Sequence, residues 1–227
     1  MASSFIAIRV SGSDMRCFVA GDDSARPGVL VCMHGPGLDE FIQEQCRRLD
    51  EAGFVAVAPD VYHRQEAPGL SPRERAAMLE DDEILVDFAA STEHLHAHSD
   101  PDRQLVVGFC MGGRLSYLWA AHSDVNAAAV FYGGNIMQSW GGGPTPFDRS
   151  AEIECPLRGF FGNDDANPSP ADVDRIESRL RELGKDFSFH RYDGAGHAFL
   201  HPERPTFRPR AAADAWSKCI EFLRGQS

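Results

Sequence analysis

Short apolar runs alternate with longer amphipathic stretches along the chain. "GVLVCM" (28–33), "FVAVAPD" (54–60), "QLVVGF" (104–109), "AAAVFYGG" (127–134) and "PLRGFFGND" (156–164) are nearly continuous in apolar residues. Such runs fit strands buried on both faces of a parallel sheet. Between them lie segments of helical period. One covers 39–52 and is closed by Gly53. The stretch 71–95 opens with Ser71-Pro72 and predicts one or two helices; 112–122 predicts another. In 169–184, Val173, Ile176, Leu180 and Leu183 recur on one helical face behind a Ser169 N-cap. A closing helix is expected over 210–225. At the front, "FIAIRV" (5–10) and "RCFVA" (16–20) predict a hairpin joined by "SGSDM", and 186–199 reads as strand then loop. The alternation predicts an α/β fold: a mostly parallel central sheet with helices on both faces, in one domain over residues 1–227. The Gly-rich stretch 133–150 is left over, as a mobile lid or an irregular surface excursion.

Composition narrows the partners. The 227 residues carry a formal net charge of −12, which argues against nucleic acid or an anionic membrane surface. No apolar run approaches the ~20 residues of a membrane span. The N-terminus lacks a basic segment followed by a long apolar one, so a cytoplasmic location is expected. The six cysteines are scattered without a CxxC pair, and reduced thiols are expected. His94, His96 and His98 cluster at the end of a helix, but no local carboxylate or cysteine completes a metal site, and no metal is expected.

Ligands of open parallel sheets bind beyond the carboxyl ends of the strands. The polar residues there are His34 and Gly35, Cys110, the pair Asp164 and Asp165, and His197. Nucleophile, acid and histidine in that order match the α/β-hydrolase triad, whose G-x-S-x-G turn here reads G-F-C-M-G. Gly108 and Gly112 would relieve the crowding of so tight a turn. A helix N-terminus and a nearby imidazole both favour thiolate at Cys110. His197, in "DGAGHAF", is the expected base, oriented by one of the two aspartates. The oxyanion donors are expected to be the backbone N–H groups of Met111 and Gly35, because Pro36 has none.

With "GFCMGGR" (108–114), "GFVAVAPDVYHR" (53–64), "FFGNDDANP" (160–168) and "YDGAGHAF" (192–199), the chain from about residue 25 to 224 resembles the dienelactone hydrolase family of α/β hydrolases. The resemblance implies cofactor-free cleavage of a lactone or carboxylic ester, a small-molecule substrate, and a triad of Cys110, His197 and Asp164, the first of the acidic pair. A monomer or homodimer is expected. Two positions depart from the family. Where family members place a glutamate that engages the cysteine, this chain has His34; where they place a substrate-binding arginine after the catalytic histidine, it has His201. A second family arginine falls on Arg73 or Arg75, and Arg75 is taken as the candidate. Tyr62, His63 and Trp140 are candidates to close over a ligand.

Two other readings compete. Cys110 with His201 and Glu203 matches the G-x-C-x-G and His-x-Glu pattern of glutamine amidotransferases. "GNDDANP" and "GAGHAF" would then have no role, and the glutamine usual beyond that turn is Arg114. A non-catalytic binding protein on a hydrolase scaffold is the other, since fold alone does not guarantee chemistry.

Overall fold

The computed structural model describes residues 3–65 and 69–226. Its strands are β1 (Ser4–Val10), β2 (Ser13–Ala20), β3 (Pro27–Cys32), β4 (Val55–Pro59), β5 (Asp100–Phe109), β6 (Ala127–Phe131), β7 (Leu157–Gly162) and β8 (Phe187–Tyr192). They form one sheet in the order β1-β2-β4-β3-β5-β6-β7-β8. The pairs β1–β2 and β2–β4 are antiparallel and the rest are parallel. The helices are α1 (Glu40–Glu51), α2 (Pro72–Ala76), α3 (Asp81–His98), α4 (Met111–Ala120), α5 (Pro170–Glu182) and α6 (Pro209–Gly225).

Local chemistry explains several boundaries. The first turn is tighter than expected. Only Ser11 and Gly12 link β1 to β2, with φ of 48° and 84°, the mirror-image turn that matches strand twist. Gly53, at φ 99°, ends α1 as expected. The stretch 71–95 is two helices. Ser71 caps α2 through a reciprocal capping box with Glu74, and α3 begins only at Asp81. Ser169 caps α5 in the same manner with Asp172. β5 begins at Asp100, ahead of its apolar run, and the predicted strands 127–134 and 156–164 stop earlier, at Phe131 and Gly162.

Strands β3, β4 and β6 are buried throughout, and the apolar half of β5 with them. The helices cover them in two layers. Arg48 of α1 stacks on Trp216 of α6 at 4.0 Å, and Phe88 of α3 meets Trp119 of α4 edge-on at 5.7 Å. The chain leaves β3 towards β4, then crosses back to place β5 on the other side of β3. That reversal opens a crevice at the carboxyl ends of two neighbouring strands, where Cys32 pairs with Gly108.

Candidate active site

Cys110 joins the end of β5 to the start of α4 with φ 58° and ψ −117°, a left-handed conformation costly for a residue with a Cβ. Three glycines make it possible. A Cβ on Gly108 would overlap the Gly112 carbonyl, one on Gly112 the Cys32 carbonyl, and one on Gly113 the Phe131 carbonyl. The Cys110 N–H donates to Phe131 O at 3.0 Å, tying the turn to β6. Sequence reasoning found the first two glycines. Gly113 was missed because it lies outside the G-x-C-x-G pattern.

His197 comes from the loop after β8. This loop abuts the end of β7 so closely that a Cβ on Gly162 would overlap the Ala195 carbonyl. Nε2 of His197 lies 2.9 Å from Cys110 Sγ, and Nδ1 lies 2.8 Å from Asp165 Oδ2. The expectation of Asp164 is thereby corrected. Asp164 follows β7 on the exposed side of the turn, while the Asp165 side chain is 2% exposed and faces inward. Its other oxygen accepts the Asn167 N–H at 2.8 Å, which fixes the carboxylate.

Charge follows from this geometry. Burial disfavours an ionised His197, but hydrogen bonds and charges from Asp165 and Cys110 outweigh it and raise the imidazole pKa from 6.5 to about 10. Burial likewise opposes a thiolate at Cys110. The His197 hydrogen bond and charge, with the Met111 and Gly35 N–H groups, bring that thiol below its ordinary value of 9.0. Each partner thus favours the charged form of the other, thiolate at Cys110 and imidazolium at His197. The other five cysteines are buried; Cys17, Cys46, Cys155 and Cys219 are all pushed up by desolvation, as is Cys32.

The two expected backbone donors, Gly35 and Met111, both reach the sulfur and both line the adjoining cavity of about 500 Å³. Tyr62 does not line it. It is 1% exposed, its hydroxyl donates to Gly35 O at 2.9 Å, and Met111 Sδ is 3.4 Å away. Tyr62 thus braces the loop that carries one donor. Arg75 also lies behind the wall, with its guanidinium 4.2 Å from the Tyr62 ring and its Nε donating to Gln65. Arg73, on the opposite side of the same short helix, lines the cavity instead.

Neither histidine at a departed position reaches the cavity. His34 is 5% exposed, with Nε2 2.8 Å from Asp39 Oδ1. His201 is buried flat against Phe41, with ring centroids 4.5 Å apart, so it is not placed to pair with Cys110 as an amidotransferase would require. His63 is turned into the protein, with Nε2 3.1 Å from Asp87. Among the helix-end histidines, the His94 and His98 rings meet tilted with centroids 4.3 Å apart, and His98 Nδ1 lies 3.2 Å from Asp22.

Trp140 lines the cavity as expected, together with Gly134 and Asn135 from the same Gly-rich loop and Asn167 from the β7–α5 turn. That loop is anchored. Asn135 N–H donates to Asn167 Oδ1 at 3.1 Å, and the Asp81 N–H donates to Trp140 O at 3.0 Å. Arg114 lies beneath the loop, wholly buried, with Asp81 accepting two of its N–H bonds at 2.6 and 2.8 Å. Breaking a buried pair of this kind by removing one partner typically costs ~3–5 kcal/mol. Sequence reasoning missed both residues. The available signal was a lone arginine in the apolar run "RLSYLWAA".

The dienelactone hydrolase family model matches residues 15–227. A protein of Methylorubrum extorquens named for carboxymethylenebutenolidase is 32% identical over 212 residues, which cover 87% of this chain and 72% of that protein. A Synechocystis protein of the same name is 34% identical over 212 residues, covering 87% of this chain and 85% of its own. A crystal structure from Klebsiella pneumoniae, named for dienelactone hydrolase, superposes with a TM-score of 0.91 at 27% identity, covering 98% of each chain. The chain therefore belongs to the dienelactone hydrolase family and is a hydrolase of the lactone- and ester-cleaving kind.

Proposed function

We propose that this hydrolase cleaves a lactone or carboxylic ester through a thioester on Cys110, with His197 as acid and base and Asp165 as its orienting carboxylate. The observation that carries the reading is the unbroken line from Sγ to Nε2 at 2.9 Å and from Nδ1 to the carboxylate at 2.8 Å, at the wall of a cavity with two backbone donors.

The thiolate attacks the carbonyl carbon. Charge moves to the carbonyl oxygen, which the N–H groups of Gly35 and Met111 receive; one such donor is worth about 3 kcal/mol in comparable sites. His197, already protonated, gives its Nε2 proton to the departing oxygen as the C–O bond breaks. The neutral imidazole then takes a proton from water, whose oxygen attacks the thioester, and the second tetrahedral species expels the thiolate. Asp165 holds Nδ1–H throughout, so Nε2 stays aimed at the sulfur. Arg73 at the cavity wall supports a substrate carrying a carboxylate, because an always-protonated guanidinium recognises that group by paired hydrogen bonds.

The test uses p-nitrophenyl acetate and a γ-lactone with and without a carboxylate. Wild type is expected to hydrolyse both classes, and Cys110→Ala neither. Acid quench of wild type during turnover should give a protein heavier by one acyl group, mapped to the peptide with Cys110. Turnover retained in Cys110→Ala would end the proposal. Arg73→Gln should raise KM for the carboxylate-bearing lactone and leave the neutral one unchanged.

A further inference from the structure

The guanidinium of Arg114 makes four hydrogen bonds, two to Asp81, one to Gln138 O at 2.7 Å and one to Asn135 O at 3.2 Å. Its carbon also lies 3.9 Å from the centre of the Trp140 indole. Asp81 binds the same tryptophan twice: its carboxylate accepts the Trp140 N–H at 3.3 Å, and its own N–H donates to the Trp140 carbonyl. One charged pair thus fixes two of the three residues through which the Gly-rich loop lines the cavity, Asn135 and Trp140. Arg114 belongs to the first turn of α4, the helix that Cys110 opens. Nucleophile and cavity wall are referenced to one rigid element, so the gap between sulfur and indole is set by helix geometry and does not depend on loop motion.

We infer that Arg114 is the positioning residue that sets which acyl groups this site accepts, by clamping Trp140 as a fixed wall facing the nucleophile. The inference rests on the proposed thioester chemistry only for its kinetic readout. A small acyl group does not need the wall. A large aromatic one gains its contact from it, so loosening the wall acts on KM and leaves the reacting atoms untouched.

Arg114→Lys keeps the charge beside Asp81 but has no planar fork to span Asn135 O and Gln138 O or to stack on the indole. It is expected to raise KM for p-nitrophenyl benzoate by roughly tenfold with kcat near wild type, while p-nitrophenyl acetate changes by less than about twofold. Trp140→Ala should give the same split, Trp140→Phe should recover most of it, and the double variant Arg114→Lys/Trp140→Ala should be no worse than either single change. Trp140 is only partly buried, so its variants carry the test if the lysine variant does not fold. Cys110 alkylation provides a readout free of turnover. The rate with N-phenyl iodoacetamide relative to iodoacetamide should change in Arg114→Lys and in Trp140→Ala alike. An equal loss of kcat for both esters, additive single changes, or an unaltered alkylation ratio would overturn the inference. A wild type that hydrolyses neither ester would count against the hydrolytic chemistry, and the alkylation ratio would still decide the clamp.

Discussion

Nε2 of His197 stands 2.9 Å from Sγ of Cys110, within hydrogen-bond reach across 87 residues of sequence. The pair is held from both ends, by the Asp165 carboxylate behind the ring and by two backbone N–H groups at the sulfur. Proton position is then settled by electrostatics: the thiol is easier to ionise than usual and the imidazole harder to deprotonate.

Alkylation of Cys110 should report this directly. Its rate with iodoacetamide is expected to fall at a lower pH than that of an ordinary thiol, because the thiolate persists until Cys110 itself is protonated. Above about pH 10 His197 loses its proton and the ion pair ends. In His197→Ala the sulfur loses its main stabilising partner, burial takes over, and the alkylation profile moves to higher pH. A wild-type profile identical to that of His197→Ala would refute the ion pair.

Asp165→Asn should lower kcat by a hundredfold or more, since an amide stabilises neither the imidazolium nor its tautomer; loss of the corresponding carboxylate costs about 10⁴ in serine proteases. Asp164→Asn, on the exposed face of the turn, should leave kcat within about twofold, as ordinary surface substitutions do. Steady-state kinetics of the two variants decides the assignment, and the opposite ranking would reverse it.

Removing the Tyr62 hydroxyl frees the Gly35 carbonyl from its brace. Tyr62→Phe should reduce kcat by about fivefold, the equivalent of one net hydrogen bond of ~1 kcal/mol, with KM little changed. A change confined to KM would instead place the tyrosine in substrate binding.

Gly108→Ala forces a methyl group into the Gly112 carbonyl. A cost of roughly 1–3 kcal/mol lowers Tm by about 2–12 °C in a chain of this size. Gly143→Ala, where a Cβ meets nothing within 4 Å, should leave Tm unchanged in the same calorimetric scan.

The alternation of apolar runs and amphipathic segments already determined an α/β sheet, and the order of Cys110, acid and His197 already determined which strand ends meet. Strand burial and backbone strain are local properties, written in residues that lie next to one another. GFCMG could be read as a tight turn because its two glycines and the cysteine between them fall within five adjacent residues. The choice between Asp164 and Asp165 was different. Two adjacent aspartates are equivalent in sequence, and only the path of the chain beyond β7 turns one side chain inward. His34 and His201 looked like pocket residues because they hold the family's pocket positions. Tertiary packing sets both rings against Phe41 instead, His201 stacked and His34 tilted. The Gly-rich loop read as either a mobile lid or an irregular surface excursion, because glycine frees the backbone locally and leaves both open. It is held by Arg114 and Asp81, which are 33 residues apart in sequence, and a contact between distant residues leaves no mark in the local pattern of either.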